Sequence, residues 1–306
     1  SNTIVEGAGS GAYVRLTGGI EDVNNWDPAL ANLPGTVGAD AQMIRNGSED
    51  FIYVLRGAGT GFYRYTISTN SWDTLTAVPG SVGVGAKMLR TGSENFIYVL
   101  AGGGTTNFYR YTISTDSWTT LSGPSGTIND GPNMVRYGDY IYAMRGGGVA
   151  TMYYYSISGG TWAARDSMTT GASTGAQMIT NGSDGYIYAT RGTAGTGFYR
   201  YSVAGNSWST MASVPGTPGD GSYALRSGSD GNIYLLRGGD TTDVYRYSIA
   251  GNSWATLAAL PGAAGAGAQM IRNGTDNEIY VLRGGGTSRF YRYSVSGNSW
   301  TTLPSL

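Results

Sequence analysis

An all-β fold is what the sequence predicts: a seven-bladed β-propeller, four antiparallel strands per blade, with one blade lacking its first strand in this chain. Three observations carry it. The tryptophans Trp26, Trp72, Trp118, Trp162, Trp208, Trp254 and Trp300 recur at intervals of 46, 46, 44, 46, 46 and 46 residues. The same segments return before each one, as in FIYVLRGAGTGFYRYTISTNSW at 51–72: an apolar run ending in Arg-Gly, a Gly/Thr-rich loop, an alternating Tyr-x-Tyr run, a small polar turn, then Trp. Runs of this length, rich in β-branched and aromatic residues and bounded by Gly, Asn and Ser, read as strands. A period of about 40 to 50 residues made only of strands marks a propeller, one repeat per blade.

The chain enters in the middle of a blade. Its opening, IVEGAGSGAYVRL, aligns without gaps on VLRGAGTGFYRYT at 54–66, placing Ile4 at Val54, Glu6 at Arg56, Gly7 at Gly57 and Tyr13 at Tyr63. TGGIEDVNNW follows, four residues longer than the equivalent turn elsewhere, so residues 1–33 read as an incomplete, irregular blade and 41–306 as six regular ones. The whole of 1–306 reads as a single domain, because stacked repeats bury one continuous core.

Within each blade the strands are lettered a to d. Strand a appears six times, as AQMIR, AKMLR, PNMVR, AQMIT, SYALR and AQMIR from residues 41, 86, 132, 176, 222 and 268, whereas strands b, c and the Trp strand d appear seven times. The missing strand a lies upstream of Ser1 or comes from a neighbouring chain, since an unpaired ladder edge is a template for strand addition. Self-association through the incomplete blade is therefore an expectation.

Blades packed face to face cover both sides of every strand, so aromatics alternate with aliphatics on either face. In strand c, Tyr63, Tyr65 and Ile67 share one face, and Phe62, Arg64 and Thr66 the other. Tyr suits a sandwiched face with a wet rim. Burying the strand d Trp is expected to contribute about 2 to 3 kcal/mol each. The sequons at Asn46, Asn181 and Asn273 fall in a-b turns, where Asn-Gly hairpin chemistry accounts for them better than glycosylation.

Composition narrows function. There is no Cys and no His, which removes thiolate zinc sites, the commonest metal ligand and the usual neutral-pH general base. No metal, no cofactor and no enzymatic activity are expected. A net charge of -1 supplies no field to recruit nucleic acid, and no apolar run approaches the roughly 20 residues that cross a bilayer, so no membrane insertion is expected. Sparse charge with abundant Tyr, Thr, Ser and Asn points to an extracellular, cell-surface or virion location.

Eighteen of the nineteen basic residues are Arg, and fifteen of them fall in three series. Strand a ends in Arg45, Arg90, Arg136, Arg226 and Arg272; strand b ends in Arg56, Arg145, Arg191, Arg237 and Arg283; strand c carries Arg64, Arg110, Arg200, Arg246 and Arg292. Carboxylates recur in or after the a-b turn, at Glu49, Asp50, Glu94, Asp139, Asp184, Asp230, Asp276 and Glu278. Repeated Arg beside repeated acid favours structural ion pairs or Arg stacked on Tyr over a ligand site.

The Gly pair after an apolar strand, the Tyr of the next strand and the later Trp, as in Gly146-Gly147, Tyr155 and Trp162 or Gly284-Gly285, Tyr293 and Trp300, resemble the repeats of kelch propellers, the architecture of the galactose oxidase type. The resemblance spans essentially the whole chain, with departures at Gly57-Ala58, Gly192-Thr193 and Gly7-Ala8. A WD40 propeller is the alternative, but Trp is followed by Asp only at Asp27 and Asp73. The kelch resemblance implies that the b-c and d-a loops share the usual binding face. Arg56, Arg145, Arg191, Arg237 and Arg283, with Glu6 as the odd member of that ring, are then the candidate ligand-binding residues.

Copper-radical oxidation of the galactose oxidase type needs His and Cys that this chain lacks. Uniform repeats and short loops favour a non-enzymatic structural or interaction module in a larger assembly, with a surface protein or a glycan as partner. A glycan-binding propeller lectin is the alternative, since Tyr-rich repeats could offer shallow multivalent sites. A sialidase-like hydrolase is the second alternative, although STDSW at 114–118 does not match the Ser-x-Asp-x-Gly-x-x-Trp box of that class.

Overall fold

The computed structural model describes residues 3–5, 14–16, 31–35, 38, 41–46, 49–90, 94–130, 134–226, 231–272 and 276–303. Its first two strands, β1 (Thr3–Val5) and β2 (Val14–Leu16), pair with each other, and among the described residues with no third strand. Six four-stranded sheets follow. They are β3 (Gln42–Ile44), β4 (Phe51–Leu55), β5 (Phe62–Thr66) and β6 (Ser71–Thr74); β7 (Lys87–Leu89), β8 (Phe96–Leu100), β9 (Phe108–Thr112) and β10 (Ser117–Leu121); and β11 (Met134–Tyr137), β12 (Tyr140–Gly146), β13 (Val149–Ser156) and β14 (Thr161–Arg165). Then come β15 (Met178–Ile179), β16 (Tyr186–Thr190), β17 (Phe198–Ser202) and β18 (Ser207–Thr210); β19 (Tyr223–Leu225), β20 (Asn232–Leu236), β21 (Val244–Ser248) and β22 (Ser253–Thr256); and β23 (Gln269–Ile271), β24 (Glu278–Leu282), β25 (Phe290–Ser294) and β26 (Ser299–Leu303). In each sheet the strands neighbour one another in chain order, giving the a-b-c-d meander.

The blade count is corrected from seven to six. The expected incomplete blade is a two-stranded ribbon in which Ile4 pairs with Arg15, whereas its counterpart Val54 pairs with Tyr63, the residue equivalent to Tyr13. The ribbon is thus slipped by two residues from the repeat register. Two strands alone lack the paired face that makes a sheet self-supporting, and Trp26 and Glu6 lie outside the described residues.

Close contacts divide the chain into two compact units, one of Ala31–Thr174 with Ser202–Trp208 and one of Ser1–Leu30, Gly175–Tyr201 and Ser209–Leu306. In the first unit, Phe62 meets Tyr111 and Trp118 of the next sheet edge-on at 4.8 and 5.1 Å, and Phe108 meets Tyr155 and Trp162 at 4.9 and 5.0 Å. In the second, Phe198 repeats the contact with Tyr247 and Trp254 at 4.8 and 5.0 Å. Edge-on geometry aligns the positive ring edge with a negative face. Within each unit the core lies between neighbouring sheets, as the two-sided pattern of strand b requires: Ile52, Tyr53, Val54 and Leu55 are all buried.

The Gly pairs are explained by a close crossing. A side chain at Gly102 would start 2.5 Å from the Val84 carbonyl, and one at Gly284 2.5 Å from that of Ala266, both at positive φ. Only Gly lets strand b end directly against the d-a loop. The strand d tryptophans differ from expectation. They are half-buried, because strand d is the sheet edge, and their indole nitrogens do work that burial alone would not.

Candidate functional site

The repeated charges hold sheets together. Arg90 donates to both carboxylate oxygens of Glu49 in the preceding sheet, Nη2 to Oε1 at 2.9 Å, while its Nε reaches the Glu94 carbonyl of its own a-b turn at 3.1 Å. Arg136 pairs with Glu94 likewise, and Arg226 pairs with Asp184 at 2.7 Å. Arg90 also lies over the Tyr53 ring at 5.7 Å, and Arg226 over Tyr188 at 5.5 Å. The hydrogen bond from Arg90 holds the Glu49 carboxyl below its usual range. Strand c arginines stack within their own sheets, Arg64 over Phe51 at 4.7 Å and Arg110 over Phe96 at 4.5 Å. Turn acids are engaged locally too: Asp50 accepts from the Ser68 amide and hydroxyl, and Asp139 from those of Ser158.

The candidate ligand-binding arginines sit at equivalent places and grip backbone. Arg145 Nε donates to the Thr127 carbonyl at 3.0 Å, Arg237 Nε to that of Thr217 at 3.0 Å, and Arg283 Nε to that of Ala263 at 2.5 Å. Each acceptor follows a glycine, Gly126, Gly216 or Gly262, on which the guanidinium rests. Arg56 lies against Gly35 in the same way, and Arg191 against Gly195 and Gly197 of its own b-c loop. Arg237 adds an ion pair to Asp243 at 2.6 Å. All five are half-buried. Their charge therefore braces the d-a or b-c loops, and Glu6 lies outside the described residues. Among those residues no group of three or more acids or other metal-binding side chains is placed to hold a metal ion.

A second repeated device was not read from the sequence. Two residues before five of the six described strand d tryptophans stands an Asn or Asp in the left-handed region: Asn70, Asp116, Asn206, Asn252 and Asn298. Its side-chain oxygen accepts an amide of the preceding d-a segment while the Trp Nε1 donates to the carbonyl of that same residue. Asn252 and Trp254 hold Ala212 at 2.9 and 2.8 Å, and Asn298 and Trp300 hold Ala258 at 2.8 and 2.8 Å. Asp116 and Trp118 clasp Thr76, Asn70 and Trp72 clasp Ala31, and Asn206 and Trp208 clasp Asp166. Asn252 also accepts from the Tyr247 hydroxyl at 2.8 Å.

The sixth junction breaks the clasp from both sides. Gly160 stands where the others have Asn or Asp, so no side-chain oxygen is offered. On the opposite side SGPSG at 122–126 replaces TAVPG-type sequence. Val78, Val214 and Leu260 donate their amides across the loop to Thr60, Thr196 and Thr242, whereas the equivalent Pro124 has no amide hydrogen to give. The segment takes another path, with Gly123 so close to Thr106 that a side chain would start 1.7 Å from its carbonyl oxygen. Trp162 Nε1 is left buried without a hydrogen-bond partner. Beside it opens a cleft of about 290 Å³ lined by Ser122, Gly123, Ser125, Tyr153, Thr161, Trp162 and Ala163. The signal was available in the sequence: one GGTW among TNSW, TDSW and GNSW.

These two kinds of Trp should behave differently on truncation. Trp254→Phe removes a formed hydrogen bond as well as ring area, whereas Trp162→Phe removes an unsatisfied donor. Trp254→Phe is expected to cost about 1 kcal/mol more than Trp162→Phe. Thermal melts of the two variants check this, and the opposite order would contradict the clasp.

No protein-family model matches the chain, and no curated protein matches it. Among solved structures it is similar to "Structure of YjhT", at a TM-score of 0.65 and 16% identity, covering 89% of this chain and 99% of that one. At that identity the likeness speaks for architecture alone, and with the six four-stranded sheets it makes the fold of this chain an all-β β-propeller.

Proposed function

We propose that this chain is a non-catalytic propeller module, carried on a cell or virion surface, that recognises a partner. One observation carries the reading: its repeated guanidiniums and turn carboxylates are engaged in sheet-to-sheet and loop-bracing contacts, as at Arg90–Glu49 and Arg237–Thr217. Charges so committed stiffen a scaffold. Recognition then falls to short loops and to neutral, hydroxyl-rich sheet edges such as Ser117–Leu121 and Ser299–Leu303. Rigid scaffolds bind with little ordering cost. The kelch resemblance and the lectin alternative remain compatible with the same architecture.

The test pits binding against turnover. The purified chain is applied to arrays of surface proteins and glycans, and in parallel to chromogenic sialosides and other aryl glycosides. Saturable capture of one partner class without glycoside release is the expected result. Release proportional to protein concentration would overturn the reading in favour of a hydrolase.

A further inference from the structure

We infer that Arg283 and Arg289 of the last sheet, with the Tyr291 hydroxyl, form a docking site for the carboxylate of an acidic side chain on a partner polypeptide. The inference rests on the module reading above, and names the partner chemistry at one place on it.

The preceding sheet holds a filled copy of the site. There Leu236 pairs with Val244, and one step further along the ladder Arg237 stands opposite Asp243, its amide on the Asp243 carbonyl at 3.1 Å. Arg237 Nε donates to the Thr217 carbonyl, its Nη1 meets Asp243 Oδ2 at 2.6 Å, and the Tyr245 hydroxyl donates to the same oxygen at 3.1 Å. The last sheet repeats every part except the acid. Leu282 pairs with Phe290, the Arg283 amide reaches the Arg289 carbonyl at 3.1 Å, and Arg283 Nε donates to the Ala263 carbonyl. The Arg283 guanidinium and the Tyr291 hydroxyl flank Gly262, each 3.2 Å from where its Cβ would be, as Arg237 and Tyr245 flank Gly216.

Position 289 thus carries Arg where 243 carries Asp, and two arginines occupy opposite places on neighbouring strands. In the first two sheets the corresponding oppositions are Arg56 with Gly61 and Ala101 with Asn107. Like charges placed directly opposite are destabilising. Among the described residues no acid pairs with Arg283, and the adjoining PGAAGAG at 261–267 brings no charge. A carboxylate entering here relieves the repulsion and gains charge-assisted hydrogen bonds. Its place is open to solvent: in the filled copy the Arg237 and Asp243 side chains are 29% and 36% exposed, and Arg289 is itself exposed. Asp243 also specifies the occupant, a short carboxylate carried on main chain and met by a guanidinium fork and a phenol hydroxyl.

The experiment titrates the whole nitrogen-15-labelled chain with N-acetyl-Ala-Asp-Ala-amide. Saturable amide shifts are expected at Ala263, Arg283 and Arg289, and the Ala-Asn-Ala analogue should bind about tenfold more weakly, the loss of one charge-assisted hydrogen bond. Arg289→Asp copies the filled sheet, so it should abolish those shifts while the melting temperature holds or rises. Asp243→Arg is the converse change and should create a second set of shifts, at Thr217 and Arg237. Both variants keep the arginines that brace the loops. Amides unmoved at millimolar peptide, equal binding of the Asn analogue, or undiminished binding to Arg289→Asp each overturn the proposal. So does tighter binding of glucuronate, which carries the same carboxylate on a sugar and would make this a glycan site. Capture of a partner on the arrays with these amides unmoved would remove the site and leave the module reading standing.

Discussion

Arg90→Met should lower stability by about 3 kcal/mol, a loss seen as a large drop in melting temperature. The Arg90 side chain is 6% exposed and its guanidinium serves three groups at once: both oxygens of Glu49, the Glu94 carbonyl and the face of Tyr53. Met fills similar volume, so the loss isolates the polar contacts. The Glu49 side chain is 29% exposed and can recover part of its hydration, which keeps the cost at the lower end for a broken buried pair. Glu49→Gln should cost less, because the amide oxygen still accepts from Arg90.

Acid dependence gives the same contact a second readout. The Glu49 carboxyl is held below its ordinary value, chiefly by the Arg90 hydrogen bond. A depressed folded value means the stabilisation is present above the unfolded carboxyl's range and is lost as pH falls through the folded one. The wild-type chain should therefore lose more stability on acidification than Arg90→Met does. Equal acid sensitivity of the two proteins, or a melting temperature for Arg90→Met close to wild type, would remove this pair from the forces joining the sheets.

Alkaline unfolding should be cooperative and should set in above about pH 10, the ordinary phenol value. Tyr247 is fully buried, and burial, followed by the neighbouring Tyr188, pushes its hydroxyl up to about 12 against the opposing charge of Arg200. Burial raises Tyr53, Tyr98, Tyr142, Tyr188 and Tyr293 as well, and raises Tyr111 further with the help of its bond to Asp116. A raised folded value means the contribution is intact below the unfolded one and disappears as pH climbs through the folded one. For Tyr247 the shift corresponds to about 2 to 3 kcal/mol, and the others act in the same direction. Phenolate absorbance and the far-ultraviolet circular dichroism should therefore change together. Phenolate formed gradually near pH 10 with the strands intact would show that these rings are reached by water in the native state.

Much of the architecture is legible in the residues because its causes are local and repeated. Strand b reads as a continuous apolar run since both its faces are covered, and Phe62, Tyr63 and Tyr65 alternate as a two-sided strand must. Arg-acid spacing foretold bracing, and Arg90, Arg136 and Arg226 bear it out. The strand-b arginines show what spacing alone does not specify, namely their partners inside the chain. Whether a guanidinium meets a ligand or a loop carbonyl depends on where the d-a segment passes, and at Arg145, Arg237 and Arg283 it passes within hydrogen-bond reach. Counting blades failed for a related reason: the copy at 4–16 aligns on the repeat without gaps, but its pairing is slipped by two and, among the described residues, joins no third strand.

By itself the sequence determined an all-β chain of antiparallel four-stranded repeats, because strand periodicity, turn chemistry and the Trp interval are properties of neighbouring residues. Only the tertiary structure decided that six sheets form, that the arginines are committed to backbone and acids, and that the indoles clasp the segment before them. Each of these turns on residues some 20 to 40 positions apart being brought within 3 Å. Among the described strand d tryptophans that approach is missed at Trp162, where Gly160 offers no acceptor and Pro124 no amide.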